Sequence, residues 1–189
     1  MNAYIPPVVY NLVGNKKIVL DIEDPRMYVE IFKRLRSLGV DVGSAEGTGD
    51  QVFKLKGSEE SVRSVVNRLY LASKGKEAFN ELLIGIDTNK DRLTVVILAD
   101  GQIFETKELR IEETTRYLEE VISEYPHRRL RIGVGVGNLH GRQVYEMLRK
   151  EIPFVKMVDE RGTSSRNPYI EVKDRDVRAA YAIAIRSAI

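Results

Sequence analysis

Three places in the sequence carry carboxylates where an ordered element could hold them still. Leu82-Leu83-Ile84-Gly85-Ile86 is an apolar run of strand length that ends in Asp87. A second run, Phe154 to Val158, ends in Asp159-Glu160. Asp174 and Asp176 open a stretch with helical apolar spacing. Several carboxylates in a chain with no cysteine and only two histidines suit hard, oxygen-preferring cations such as Mg²⁺ or Mn²⁺. A pair of such ions can clamp the attacking and leaving oxygens of a phosphodiester. Without a cation, clustered acids repel and some titrate high. Each acid also has a plainer use. Asp87 can start the turn Thr88-Asn89-Lys90-Asp91, and Asp159 can end its strand. Asp174 or Asp176 can be a helix N-cap, leaving only the one that faces the sheet free for a metal.

For these acids to meet, the elements between them must build one sheet. Leu82 to Ile86, Leu93 to Leu98 and Ile103 to Leu109 are strands joined by short turns, one at Asp100-Gly101. A helix is expected from Ile111 to about Tyr125, stopped by Pro126, followed by a strand from Arg129 to Val136. A helix over Arg142 to Ile152 and a strand over Phe154 to Val158 come next. The closing helix carries Val177, Ala180, Tyr181, Ala184, Ile185 and Ala188 on one face. The order is β-β-β-α-β-α-β-α. Tight turns make the first three strands antiparallel, and helical crossovers make the later ones parallel. An α/β fold with a mixed five-stranded sheet and flanking helices follows. With its first strand central, the carboxylates can converge at one end of that sheet.

Residues 1–78 read as a separate small α/β module, with Lys74-Gly75-Lys76 as the linker to a domain over 79–189. Val8 to Val13 and Lys17 to Ile22 are β-prone runs split by Gly14-Asn15. Asp24-Pro25 opens a helix with Ile31, Leu35 and Leu38 on its apolar face, and Gly39 closes it. Val40-Asp41-Val42 and Gln51 to Leu55 flank a segment from Gly43 to Gly49, expected to be a hairpin loop because it lacks the Lys-Ser/Thr ending of a phosphate loop. A second helix starts near Ser58-Glu59-Glu60-Ser61. Lys33, Arg34, Arg36, Lys54, Lys56, Arg63 and Arg68 form either a solvated face or a patch for nucleic acid.

Composition sets the outer bounds. The 189 residues are 43% hydrophobic and 31% charged, with no apolar run near the ~18 residues of a membrane span. No cysteine means no disulfide, no thiolate zinc site and no cysteine nucleophile. The opening residues lack a secretory pattern, so a cytoplasmic location is expected. A net charge of +2 confines any nucleic-acid surface to a local patch.

Four stretches in this order resemble the ribonuclease H-like superfamily, in its YqgF-like branch related to the RuvC Holliday-junction resolvases. Ile84-Gly85-Ile86-Asp87 resembles the branch's first-strand Gly-x-Asp. Gly133-Val134-Gly135-Val136-Gly137-Asn138, with His140-Gly141, resembles its glycine-bearing loop after the fourth strand. Val158-Asp159-Glu160-Arg161, with Thr163-Ser164-Ser165, resembles its Asp-Glu-Arg-x-Ser/Thr signature. Asp176-Val177-Arg178-Ala179-Ala180 resembles its closing helix. The resemblance covers 82–189 and departs from RuvC in having no acid between Arg131 and Gly137.

The resemblance implies a Mg²⁺- or Mn²⁺-dependent endonuclease acting on structured nucleic acid, DNA or RNA; whether it works as a homodimer the sequence leaves open. Asp87, Glu160 and Asp176 would be the catalytic, metal-binding acids, with Asp174 as a further candidate ligand. Arg161, Thr163, Ser164, Arg166 and Lys90 would contact the nucleic acid. Arg161 has a plainer use as the ion-pair partner of Asp159 or Glu160. Two other readings stand beside this one. The same fold can serve as a non-catalytic module binding nucleic acid or protein. Gly133-x-Gly135-x-Gly137, with Asp159 at the end of the next strand, faintly suggests a dinucleotide site, but the glycine spacing is wrong for it.

Overall fold

A computed structural model of the chain describes residues 17–43, 51–55, 60–89, 92–161 and 172–189. The chain divides into two units, Met1–Ala78 and Phe79–Ile189. In the first, strand β1 (Ile18–Ile22) leads to helix α1 (Pro25–Ser37), β2 (Val42–Gly43), β3 (Gln51–Leu55) and helix α2 (Val62–Ser73). Asp24 caps α1 by accepting from the Arg26 N–H at 2.8 Å, and Gly39 ends it at φ +75°. Ile31 and Leu35, one turn apart on α1, are buried. Ser61 caps α2 through the Ser64 N–H at 3.1 Å.

The expected hairpin between Val42 and Gln51 is not formed. The apolar β1, buried at Ile18, Val19 and Leu20, takes the centre and pairs in parallel with β2 on one side and β3 on the other. The glycine-rich segment therefore joins two strands that do not pair with each other. Its residues 44–50, like Val8 to Val13 and Gly14-Asn15, lie outside the described residues.

The second unit contains β4 (Leu82–Asn89), β5 (Arg92–Ala99), β6 (Gln102–Leu109), α3 (Ile111–Glu124), β7 (Leu130–Gly135), α4 (Leu139–Glu151), β8 (Val155–Val158) and α5 (Arg175–Ser187). The sheet order is β6-β5-β4-β7-β8. Strand β5 is antiparallel to both β4 and β6, while β7 runs parallel to both β4 and β8. The α/β class and the mixed five-stranded sheet agree with the sequence expectation. The long apolar run of β4 is buried from Leu82 through Thr88, as a central strand covered on both faces requires.

Alternation along β4 tells the two faces apart. A Cβ on Gly85 would overlap the Ala180 carbonyl oxygen and stand 2.5 Å from the Ala184 nitrogen. Only glycine lets the backbone of α5 come this close to the middle of the sheet. Leu83, Val96, Leu98, Ala180 and Ala184 pack there as one apolar cluster. Thr88, on the other face, meets Gly141 of α4. Tyr117 of α3 donates from its hydroxyl to Glu105 of β6 at 2.8 Å on that same face.

Several boundaries differ from the sequence reading. Strand β4 runs three residues past Ile86 to Asn89, so Asp87 pairs with Thr94 inside the strand and does not start the turn. Helix α4 begins at Leu139, three residues before the expected Arg142, because the Asn138 side chain caps it, its Oδ1 accepting from the Gly141 N–H at 2.8 Å. Residues that read as a glycine loop are thus a helical turn. Strand β8 begins at Val155, leaving Phe154 in the preceding turn and half exposed. No described helix is long and apolar enough to cross a membrane.

Candidate functional site

The parallel register between β4 and β7 ends at Ile86 opposite Val134, so Asp87 comes next beside Gly135. On its other side Asp87 pairs with Thr94 of β5. Asp87 points to the same face as Gly85, the face that α5 covers, and is only 6% exposed. Helix geometry then brings Asp176 over it. The Ala180 carbonyl lies against Gly85. Asp176 is four residues earlier on α5, about 6 Å towards the helix start. Asp87 is two residues further along β4, about 6.6 Å in the same direction.

Glu160 arrives from the other side. Strand β8 pairs with β7 through Val158 opposite Gly135, and the Val136 N–H donates to the Val158 carbonyl at 3.1 Å. Two residues on, the Glu160 carboxylate rests against Gly135 and Gly137. Three elements distant in sequence thus bring Asp87, Glu160 and Asp176 to one end of the sheet.

Their proximity shows in the titration of Asp87. Burial, first, and then the negative charges of Glu160 and Asp176 push its carboxyl from 3.8 up to about 7. The Arg175 guanidinium and a hydrogen bond from the Asn89 amide, 3.2 Å to Oδ2, pull in the opposite direction but less strongly. The donor set is carboxylate oxygen throughout, which fits Mg²⁺ or Mn²⁺ in chemistry. Among the described residues, no three His, Cys, Asp or Glu side chains are grouped closely enough to hold a metal ion. The acids are near enough to feel one another without forming a closed coordination sphere.

The remaining candidates separate cleanly. Asp174 is the N-cap of α5, its Oδ1 accepting from the Asp176 N–H at 2.8 Å and the Val177 N–H at 3.1 Å. Asp176 sits in the first turn, on the side towards the sheet. Asp159 takes its plainer role. It accepts from the Arg161 backbone N–H at 2.9 Å and from the Arg161 side chain at 2.7 and 2.6 Å. These hydrogen bonds hold the Asp159 carboxyl below its ordinary value. Arg161 is engaged by Asp159. Lys90, Thr163, Ser164 and Arg166 lie outside the described residues.

Sequence reasoning passed over Asn138, Asn89 and Arg175. Besides capping α4, Asn138 donates from Nδ2 to the Thr88 carbonyl at 3.1 Å and so ties the end of β4 to the β7–α4 connection. Its signal was present as Asn138-x-x-Gly141, an N-cap spacing hidden by the surrounding glycines. Arg175, between two acids, had no signal of its own. No family model matches the chain, and neither does any curated protein.

Proposed function

We propose that the acids at the carboxyl edge of β4 form a divalent-cation site and that the protein is a metal-dependent nuclease of ribonuclease H-like architecture. The observation that carries this reading is Asp87: a carboxylate buried near the end of the central strand, where desolvation and the charges of Glu160 and Asp176 push it up to about 7. A fold stabilised by that residue alone would favour an apolar or amide side chain there, since an unpaired buried charge is costly. Such a cluster becomes favourable when a cation neutralises it. The central β4, antiparallel to β5 and parallel to β7, also supports the ribonuclease H-like assignment.

In this reading Asp87, Glu160 and Asp176 hold the ion, and a bound Mg²⁺ or Mn²⁺ supplies an activated water and charge stabilisation at a phosphodiester. Asn89 orients Asp87 through Oδ2. Asp174 fixes the start of α5 and thereby the position of Asp176. Arg175 places a positive charge at the rim, where the phosphate of a nucleic acid would approach.

A non-catalytic binding module on the same fold is the second reading. It is favoured by the absence, among the described residues, of three donors grouped for one ion. One experiment separates the two. Melting the protein at pH 8 with and without Mn²⁺ should show stabilisation by the ion, about 2.7 kcal/mol at a hundredfold excess over Kd. Asp87→Asn should stay folded and lose that response together with any cleavage of junction, duplex or single-stranded substrates. A wild-type protein that neither responds to Mn²⁺ or Mg²⁺ nor cleaves any of these leaves the binding module as the answer.

A further inference from the structure

Strand β7 is the parallel neighbour of β4, yet it brings no acid to the shared edge, since Arg131 to Gly137 contains none. The space beside Asp87 is filled from the adjoining strand. A Cβ added at Gly135 would overlap Oε1 of Glu160 and stand 2.8 Å from its Cδ. A Cβ added at Gly137 would overlap Oε2 and stand 3.0 Å from the same Cδ. The two carboxylate oxygens therefore occupy the volume that two absent side chains leave open. Backbone conformation does not require glycine at either position. The positive-φ glycines among the described residues are Gly39, Gly75 and Gly101. Space is the reason for glycine here.

We propose that Gly135 and Gly137 are positioning residues that floor a slot seating the Glu160 carboxylate beside Asp87, so that the end of β8 delivers the acid β7 lacks. The purpose of the slot rests on the cation-site reading above, while its geometry does not. Gly135 has a second constraint, because its Cβ would also stand 2.7 Å from Cδ1 of Ile183 on α5. A substitution there disturbs helix packing as well as Glu160. Gly137 is exposed, and the three atoms nearest its missing Cβ all belong to Glu160. Gly137→Ala is therefore the clean probe, with little cost to the fold outside the slot.

The test uses the full chain as wild type, Gly137→Ala, Glu160→Gln and the double variant. Mn²⁺ binding at pH 8, followed by the electron paramagnetic resonance signal of the free ion, should weaken roughly tenfold in each single variant. The double variant should bind no more weakly than Glu160→Gln. Melting without metal at pH 8 gives an independent readout. Glu160→Gln should raise the melting temperature of the wild type by removing a like charge from beside Asp87, and should raise that of Gly137→Ala by less. The proposal is overturned if folded Gly137→Ala binds Mn²⁺ like the wild type, or if Glu160→Gln shifts the melting temperature equally in both backgrounds. A wild type that binds no Mn²⁺ removes the cation reading, and the melting comparison then decides the slot by itself.

Discussion

Strands β4 and β8 each bring an aspartate to the same end of one sheet, Asp87 two residues before the last of β4 and Asp159 one residue past β8, and the two side chains have opposite fates. Asp87 is buried, faces two further carboxylates and titrates far above its ordinary value. Asp159 is in water, forked by Arg161, and titrates below it. The end of the sheet is common to both, so it does not explain the difference. Neighbours do. Central β4 has a partner strand on each side and α5 across its face, so Asp87, still paired with Thr94 inside the strand, is desolvated. Edge strand β8 stops at Val158, which leaves Asp159 free to turn into solvent and pair with Arg161. An acid kept in the costlier of two available settings points to use, and an acid in the cheaper one points to structure.

The largest expected effect breaks this contrast at Asp87. Between about pH 4 and pH 7 the folded protein retains a proton on Asp87 that the unfolded chain has released. Folded then binds more protons than unfolded, so stability falls as pH rises through that window. A rise from 3.8 to about 7 amounts to roughly 4 kcal/mol at most. Asp87→Asn should remove that decline, leaving denaturation midpoints nearly flat over this range and above those of the wild type at pH 8. Urea denaturation of both proteins at steps between pH 4.5 and 8 measures it. Parallel profiles would show that Asp87 is not the strained acid described here.

Much of this was legible beforehand because it is written in short-range pattern. The apolar run before Asp87, the turn at Asp100-Gly101 and the helical spacing after Asp174 suffice to order the second unit's strands and helices. What pattern cannot carry is which face an acid meets across the fold. Asp174 and Asp176 are indistinguishable as sequence. They part only because α5 crosses β4 with Ala180 over Gly85, which turns Asp176 towards the sheet and leaves Asp174 to the helix's own N–H groups. The same holds for Glu160, whose place depends on a glycine at the end of β7 and another two residues past it. Asn138 was hidden for a different reason: one residue serves both a helix cap and a tie to β4, and its glycine neighbours masked both.

A middle-sized effect sharpens the contrast within α5 itself. Asp174→Ala removes the acceptor of two backbone N–H groups and should cost about 1 kcal/mol, with Mn²⁺ binding weakened only as far as the helix start loosens. Asp176→Asn should do the reverse. It removes one of the charges that raise Asp87, so the Asp87 carboxyl should move back towards its ordinary value and the metal-free protein should melt higher. Mn²⁺ binding, however, should fall sharply. Melting curves with and without Mn²⁺ on the two variants decide the assignment. If Asp174→Ala rather than Asp176→Asn abolishes the ion response, the roles of the two acids are exchanged.

The smallest effect is expected at Asp159. Its carboxyl is stabilised in the charged form by hydrogen bonds from Arg161, so what it contributes is present above its ordinary titration range and is lost only as pH falls below it. Both groups are exposed, and an exposed pair contributes little to stability. Asp159→Asn should therefore melt like the wild type at pH 7 to 8, keep the full Mn²⁺ response and leave the decline with pH above 4 unchanged. It also releases Arg161 from the Asp159 carboxylate. If Arg161 contacts the phosphate backbone, the variant should bind nucleic acid more tightly, with a steeper dependence on salt as one more counterion is released. Equal affinity and equal salt slope would restrict Arg161 to the turn. Loss of the Mn²⁺ response would place Asp159 among the ion's ligands and erase the contrast between the two strand ends.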